Sequence, residues 1–220
     1  MDRDSLKKAV GLAAIKFIQA DSIIGIGTGS TVDHFINALD FIKYKIKGVV
    51  SSSEQTTNKL KKFGIKILNL NEVKILPIYI DSADEIDHQM CMIKGGGAAL
   101  TKEKIIASAA KQFICIADIS KRVNILGKFP LPIEIIDISR SLVTEEIERI
   151  GGTVRYRKGV ITENGNIILD VYNLSIKQPE VLEQHINSIP GVVTVGLFAA
   201  RKADLLLISN PSSGIETITR

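Results

Sequence analysis

Apolar and polar positions along this chain follow two alternating rhythms. Leu6, Val10, Ala13, Ala14 and Phe17 recur at helical spacing among Lys7, Lys8 and Lys16, which predicts a helix over residues 4–20. Ile23 to Gly27 is a short apolar run closed by a Gly/Ser/Thr turn, and a second amphipathic stretch continues to about Phe41. The same reasoning predicts strands over 48–53, 65–68, 76–81 and 113–117, with helices over 54–62 and 101–111. Strands and helices in strict alternation predict an α/β fold: a doubly wound, mainly parallel, Rossmann-like sheet.

The rhythm changes beyond Gly127. Pro130 and Pro132 break regular structure and read as a linker. After it come a strand over 133–138, a helix over 141–150 stopping at Gly151-Gly152, and extended segments over 153–157 and 160–162. The turn at Asn164-Gly165 precedes a strand over 167–171, then a helix over 179–189 and a strand over 192–198. This β-α-β-β-α-β order predicts a smaller ferredoxin-like α+β domain. Residues 203–209 are apolar enough to be a buried strand returning to the first domain. The predicted division is therefore 1–128 with 203–220 for the first domain, and 129–202 for the second.

Composition narrows the function classes only a little. The 220 residues are 45% hydrophobic and 24% charged, as in ordinary globular proteins. No apolar run is long enough to span a bilayer, and the first ten residues lack a secretory pattern, so a cytoplasmic protein without membrane attachment is expected. Cys91 and Cys115 form no disulfide framework or zinc pattern. The net charge of +4 is spread along the chain rather than gathered in a basic block with aromatics, so nucleic acid is not an expected partner.

The chemistry gathers in loops that follow predicted strands, which in an open parallel sheet lie on the ligand-binding rim. Thr28, Gly29, Ser30 and Thr31 join a strand to a helix start, where free amides, hydroxyls and the helix dipole suit a phosphate. An ordinary helix cap is the competing reading. A dinucleotide fingerprint is incomplete, because Ser30 stands where its third glycine belongs. Ser51, Ser52 and Ser53 either add hydroxyls at this rim or only cap the next helix.

The densest stretch runs from Tyr79 to Lys104. Asp81 and Asp84 can hydrogen-bond sugar hydroxyls, with a magnesium site as the alternative. Glu85 and Asp87 read as solvated or paired with nearby lysines, and His34 and His88 as surface or packing residues. Lys94 followed by Gly95, Gly96 and Gly97 offers an ammonium and a flexible run of amides able to stabilise an oxyanion. Glu103, in a first helical turn, is either a general base or merely a complement to the helix dipole. Lys121 can hold a phosphate as a point charge, with Asp118 to orient it.

Taken together, the segments GIGTGSTVDHFI, VVSSSEQT, YIDSADEID, IKGGGAALTKEKIIA, ADISKRVNILGKFPLP, TENGNIILDV and IPGVVTVGLFA resemble the A-type ribose-5-phosphate isomerases, in family order and over nearly the whole chain. The resemblance implies cofactor-free interconversion of ribose 5-phosphate and ribulose 5-phosphate through a cis-enediolate, in the non-oxidative pentose phosphate pathway. It implies Glu103 as the base, Asp81 and Asp84 acting on hydroxyls and ring opening, and Lys94 with the glycine amides on the enediolate oxygen. It places Thr28 to Thr31, Ser82, Ala83 and Lys121 among the substrate contacts. Ser82 departs from the glycine usual in the family. The resemblance further implies a homo-oligomer, commonly a homodimer and sometimes a tetramer.

The closest enzymatic alternative is a neighbouring phosphosugar isomerase or deaminase with another substrate, and two other classes compete. A phosphosugar-sensing regulator would carry an added DNA-binding helix-turn-helix, for which the sequence leaves no room before the first predicted helix. A nicotinamide-dependent dehydrogenase would gain heat stability from NAD, which is not expected here.

Overall fold

A computed structural model describes residues 2–220. The chain runs through α1 (Arg3–Ala14), β1 (Ser22–Ile26), α2 (Ser30–Leu39), β2 (Ile46–Ser51), α3 (Glu54–Lys62) and β3 (Leu76–Asp81). The two-residue strands β4 (Glu85–Ile86) and β5 (Met92–Ile93) follow, then α4 (Leu100–Ala109) and β6 (Ala110–Asp118). Next come β7 (Leu131–Ile135), α5 (Arg140–Arg149), β8 (Thr153–Tyr156), β9 (Ile167–Tyr172) and α6 (Pro179–Asn187). The last elements are β10 (Val192–Val195), β11 (Leu197–Phe198), β12 (Leu205–Asn210) and β13 (Gly214–Thr219). Local chemistry sets several of these starts: Asp2 and Ser53 cap α1 and α3 by accepting the amides of Ser5 and Thr56, and Pro179 opens α6.

The chain forms two compact units. The first takes residues through Ala83, Lys102–Lys121 and Ala203–Arg220. Its sheet has the order β2-β1-β3-β6-β12-β13, parallel throughout except for the antiparallel edge strand β13. Ile24, Ile26, Ile78, Ile80, Ile114 and Ile116 from its central strands are buried with Val10, Ala14, Phe35 and Leu39 of α1 and α2. Burying each such large side chain contributes roughly 1.5–3 kcal/mol. The α1 and α2 backbones approach closely at Gly11, where a Cβ would lie 2.7 Å from Phe35 N. From β1 the chain moves to β2 on one side, then crosses to β3 on the other. The sheet order therefore reverses between β1 and β3, the place where open α/β sheets bind ligands.

The second unit takes Asp84–Thr101 and Arg122–Lys202. Its four-stranded sheet, β10-β7-β9-β8, is antiparallel throughout, which is the ferredoxin-like arrangement. Ile133 and Ile135, Leu169 and Val171, Val143 and Ile147, and Ile186 fill its core from β7, β9, α5 and α6. A small sheet, β11-β5-β4, lies in the same unit.

Several elements differ from the sequence reading. Residues 84–101 and 122–128 fall in the second unit rather than the first, because β5 pairs with β11 and the Glu85 carboxylate accepts the amides of Gly127 and Phe129 at 2.8 and 2.5 Å. The segment 65–68 makes only a single bridge, Val49 to Ile67, and 160–162 is not a strand. The expected strand over 192–198 is interrupted at Gly196, whose amide donates to Pro132 O at 2.7 Å. Among the described residues no helix is long and apolar enough to cross a membrane.

Candidate active site

In the first unit, the loops after β1 and β3 meet at the switch point through Asp81. Its carboxylate is buried; Oδ1 accepts the amides of Thr28 and Ser82 at 3.1 and 2.7 Å, and Oδ2 accepts the Tyr79 hydroxyl. Gly27 makes room for it, since a Cβ there would lie 1.8 Å from Asp81 Cγ. Tyr79 is itself buried against Phe113, with ring centroids 5.0 Å apart. Burial first, then the charges of Asp81 and Glu103, raise its hydroxyl pKa well above the ordinary value. Glu103, in the first turn of α4 and only 4% exposed, thus acts electrostatically on the same hydroxyl as Asp81.

The loop of Thr28 to Thr31 divides its hydroxyls. Thr28 Oγ1 lies 2.7 Å from both Ser52 Oγ and Ser53 Oγ, and Thr56 donates to Gly27 O at 2.9 Å. Ser52 and Ser53 therefore brace this loop, and Ser53 also caps α3. Gly29 adopts φ +131°, a left-handed conformation suited to glycine, and opens α2 without a side-chain cap. The first turn of α2 carries the exposed Ser30 and the buried Thr31. Lys7, on α1, donates from Nζ to Ser30 Oγ at 2.8 Å. Sequence reasoning missed Lys7: only the packing of α1 on α2 brings it to this helix start.

Ser82, where the resemblance led to the expectation of glycine, is not among the positive-φ residues, and its hydroxyl reaches Thr28 O at 3.5 Å. Ala83 is buried at the end of the first unit's segment. Lys121, half-buried, ends a short turn after β6. Asp118 is tied to neighbours: burial raises its pKa, but the Ser120 hydroxyl and amide and the Arg3 guanidinium more than offset this and hold it below the usual range.

The second unit carries the remaining candidates. Asp84 donates its amide to Ile93 O at 2.9 Å and accepts Gly96 N at 2.8 Å on Oδ2. Lys94 is 3% exposed; its amide donates to Gly196 O at 2.9 Å, and its Nζ stands 5.6 Å from the Phe198 ring centroid. A Cβ on Gly196 would lie 2.3 Å from Lys94 O, so glycine there lets β11 approach the loop. Gly95 has φ +106°, while Gly96 and Gly97 are exposed.

Glu85 and Asp87 are not solvated, contrary to the sequence reading. Both are buried, Glu85 on the amides of Gly127 and Phe129 and Asp87 on those of Gln89 and Cys91. His88 is exposed and His34 pairs with Asp4 at 3.0 Å. Among the described residues no group of three His, Cys, Asp or Glu is placed to hold a metal ion.

These features can be set beside known proteins. Residues 48–213 match the family model described as ribose 5-phosphate isomerase A (phosphoriboisomerase A). The ribose 5-phosphate isomerase A of Neisseria gonorrhoeae is 45% identical, with a TM-score of 0.97 over 99% of this chain and 97% of that one. The enzyme of Methanocaldococcus jannaschii is 34% identical, with a TM-score of 0.92 over 99% of both chains. A D-ribose-5-phosphate isomerase in complex with phospho-erythronic acid is 36% identical, with a TM-score of 0.95 over the full length of both.

Proposed function

Since the chain belongs to the ribose 5-phosphate isomerase A family, we propose how its residues carry the family's reaction. That reaction is the aldose–ketose interconversion of D-ribose 5-phosphate and D-ribulose 5-phosphate. In the open-chain aldose, Glu103 takes the C2 proton, and the C–H electron pair becomes the C1=C2 double bond. The carbonyl pair moves onto O1, giving the cis-enediolate. Return of that proton from Glu103 to C1, with transfer of the O2 proton to O1, gives the ketose. The Lys94 ammonium and the Gly97 amide of the glycine run balance the charge that develops on O1. Asp81 and Asp84 hold sugar hydroxyls and assist ring opening, with Ser82 and Ala83 beside them.

The phosphate is assigned to Gly29, Ser30 and Thr31 at the start of α2, with Thr28 shaping the loop and Lys7 and Lys121 supplying positive charge. An anchored phosphate fixes the reacting carbons relative to the base. The route calls on no cofactor. A homodimer and a cytoplasmic location belong to the same proposal, the latter fitting the two free, buried thiols.

One observation carries this reading: Glu103 and Asp81 are both buried, yet both act on the Tyr79 hydroxyl beside the switch point. Two buried carboxylates gathered at a ligand-binding rim suit a site that moves protons. Glu103→Gln tests it: substrate binding persists while kcat falls by about 10²-fold or more. Near-normal turnover in that variant removes Glu103 from its role.

A further inference from the structure

The glycine run after Lys94 is gripped by a side chain that the motif does not contain. Arg157 lies just beyond β8, and its own amide donates to Ile168 O at 2.9 Å, fastening it to β9. Its guanidinium pairs with Asp170 of β9, Nε to Oδ2 at 2.8 Å and Nη2 to Oδ1, the two-pronged geometry that fixes a guanidinium in orientation as well as place. The remaining nitrogen, Nη1, donates to Gly95 O at 3.0 Å and to Gly96 O at 3.2 Å.

Those two carbonyls determine where the neighbouring amides point. In a trans peptide the C=O and the next N–H lie in one plane and face opposite ways. The peptide joining Gly95 to Gly96 is held at both ends: Arg157 takes its oxygen, and Asp84 Oδ2 takes its N–H at 2.8 Å. In the following peptide Arg157 holds the Gly96 oxygen, so the Gly97 N–H is turned away from the guanidinium. The Gly95 oxygen also accepts the Ala98 amide at 3.0 Å, closing a turn over the run, but that bond leaves the Gly96 carbonyl to Arg157. Glycine backbones have the widest conformational choice, so this second hold narrows the directions open to the Gly97 amide.

We infer that Arg157, fixed by Asp170, is a positioning residue for isomerisation: by holding the carbonyls of Gly95 and Gly96 it aims the Gly97 amide at the enediolate oxygen. The inference rests on the oxyanion role proposed above for Lys94 and its glycines. A donor aimed in advance needs no rearrangement when charge develops, which is where such groups contribute most. Lysine cannot replace it fully, because a compact ammonium lacks the planar fork that serves a carboxylate and two carbonyls together.

The test compares Arg157→Met, Arg157→Lys and Lys94→Met with the unmodified protein. Steady-state kinetics are measured together with binding of inorganic phosphate and of a four-carbon aldonate phosphate, whose planar carboxylate imitates the enediolate oxygens. For Arg157→Met we expect kcat to fall about 10–100-fold, less than complete loss of an oxyanion donor. KM is expected to stay within about twofold, the signature of an interaction made in the transition state. Affinity for the aldonate should fall in step with kcat/KM, and affinity for phosphate should hold. Arg157→Lys should move the same way by less, and it carries the test should Arg157→Met fail to fold.

Unchanged kcat in Arg157→Met, or phosphate affinity lost as fully as aldonate affinity, would overturn the inference and leave Arg157 a structural residue. Lys94→Met separates the two layers. If it loses turnover while Arg157→Met does not, only the positioning role fails. If it keeps full turnover, the oxyanion reading fails and the inference with it.

Discussion

Gly27 and Asp81 compete for the same space: a methyl group on the glycine would sit 1.8 Å from the Asp81 carboxyl carbon and 1.9 Å from its Oδ1. The glycine is thus the complement of a buried carboxylate, and the two loops at the sheet's switch point are fitted to each other through it.

Gly27→Ala should therefore displace Asp81, lowering kcat and costing about 1–3 kcal/mol of stability, as overpacking does. Urea denaturation and steady-state kinetics read both effects. In an Asp81→Ala background the same substitution should cost far less, because the clashing group is gone, and a double-mutant cycle measures that coupling. Equal penalties in both backgrounds would show that the contact does not matter.

Tyr79→Phe removes a buried donor to Asp81 and should cost about 1–3 kcal/mol near neutral pH. The raised Tyr79 pKa adds a pH signature. Above the unfolded tyrosine value near 10, the unfolded chain loses this proton while the folded protein keeps it. Stability then falls with rising pH by about 1.4 kcal/mol per unit for this group alone. The advantage of the unmodified protein over Tyr79→Phe should be complete below about pH 10 and shrink above it. Denaturation of both proteins from neutral to strongly alkaline pH checks this; a constant difference would count against the raised pKa.

Lys7→Met should raise KM about tenfold, the order expected for one charged hydrogen bond to a phosphate, while kcat changes much less. Salt should weaken substrate binding more in the unmodified protein than in the variant. A variant with unchanged KM would leave Lys7 as a simple partner of Ser30.

The fold was legible wherever burial writes a period into the chain. Ile24 and Ile26, Ile78 and Ile80, and Ile114 and Ile116 lie on central strands and carry that period. Residues 84–101 were not assigned to the second unit because β4 and β5 are two residues each, too short to carry any period. Glu85 and Asp87 look like surface acids, and Glu85 is buried only because amides some forty residues further on need an acceptor. Ile65 to Leu68 has the side chains of a strand but makes a single bridge. Asp81, Asp84, Lys94 and Glu103 were readable as one motif, whereas Lys7 and Arg157 reach their partners only through packing and pairing remote in sequence.

The account turns on Glu103 moving a proton between two carbons. NMR of ribose 5-phosphate in D₂O, without added metal, follows ketose formation and deuterium uptake at C1 together. The unmodified protein should form ribulose 5-phosphate carrying solvent deuterium at C1, and Glu103→Gln should lose isomerisation and exchange alike. Ketose formation and deuterium uptake by Glu103→Gln at the unmodified rate would contradict it.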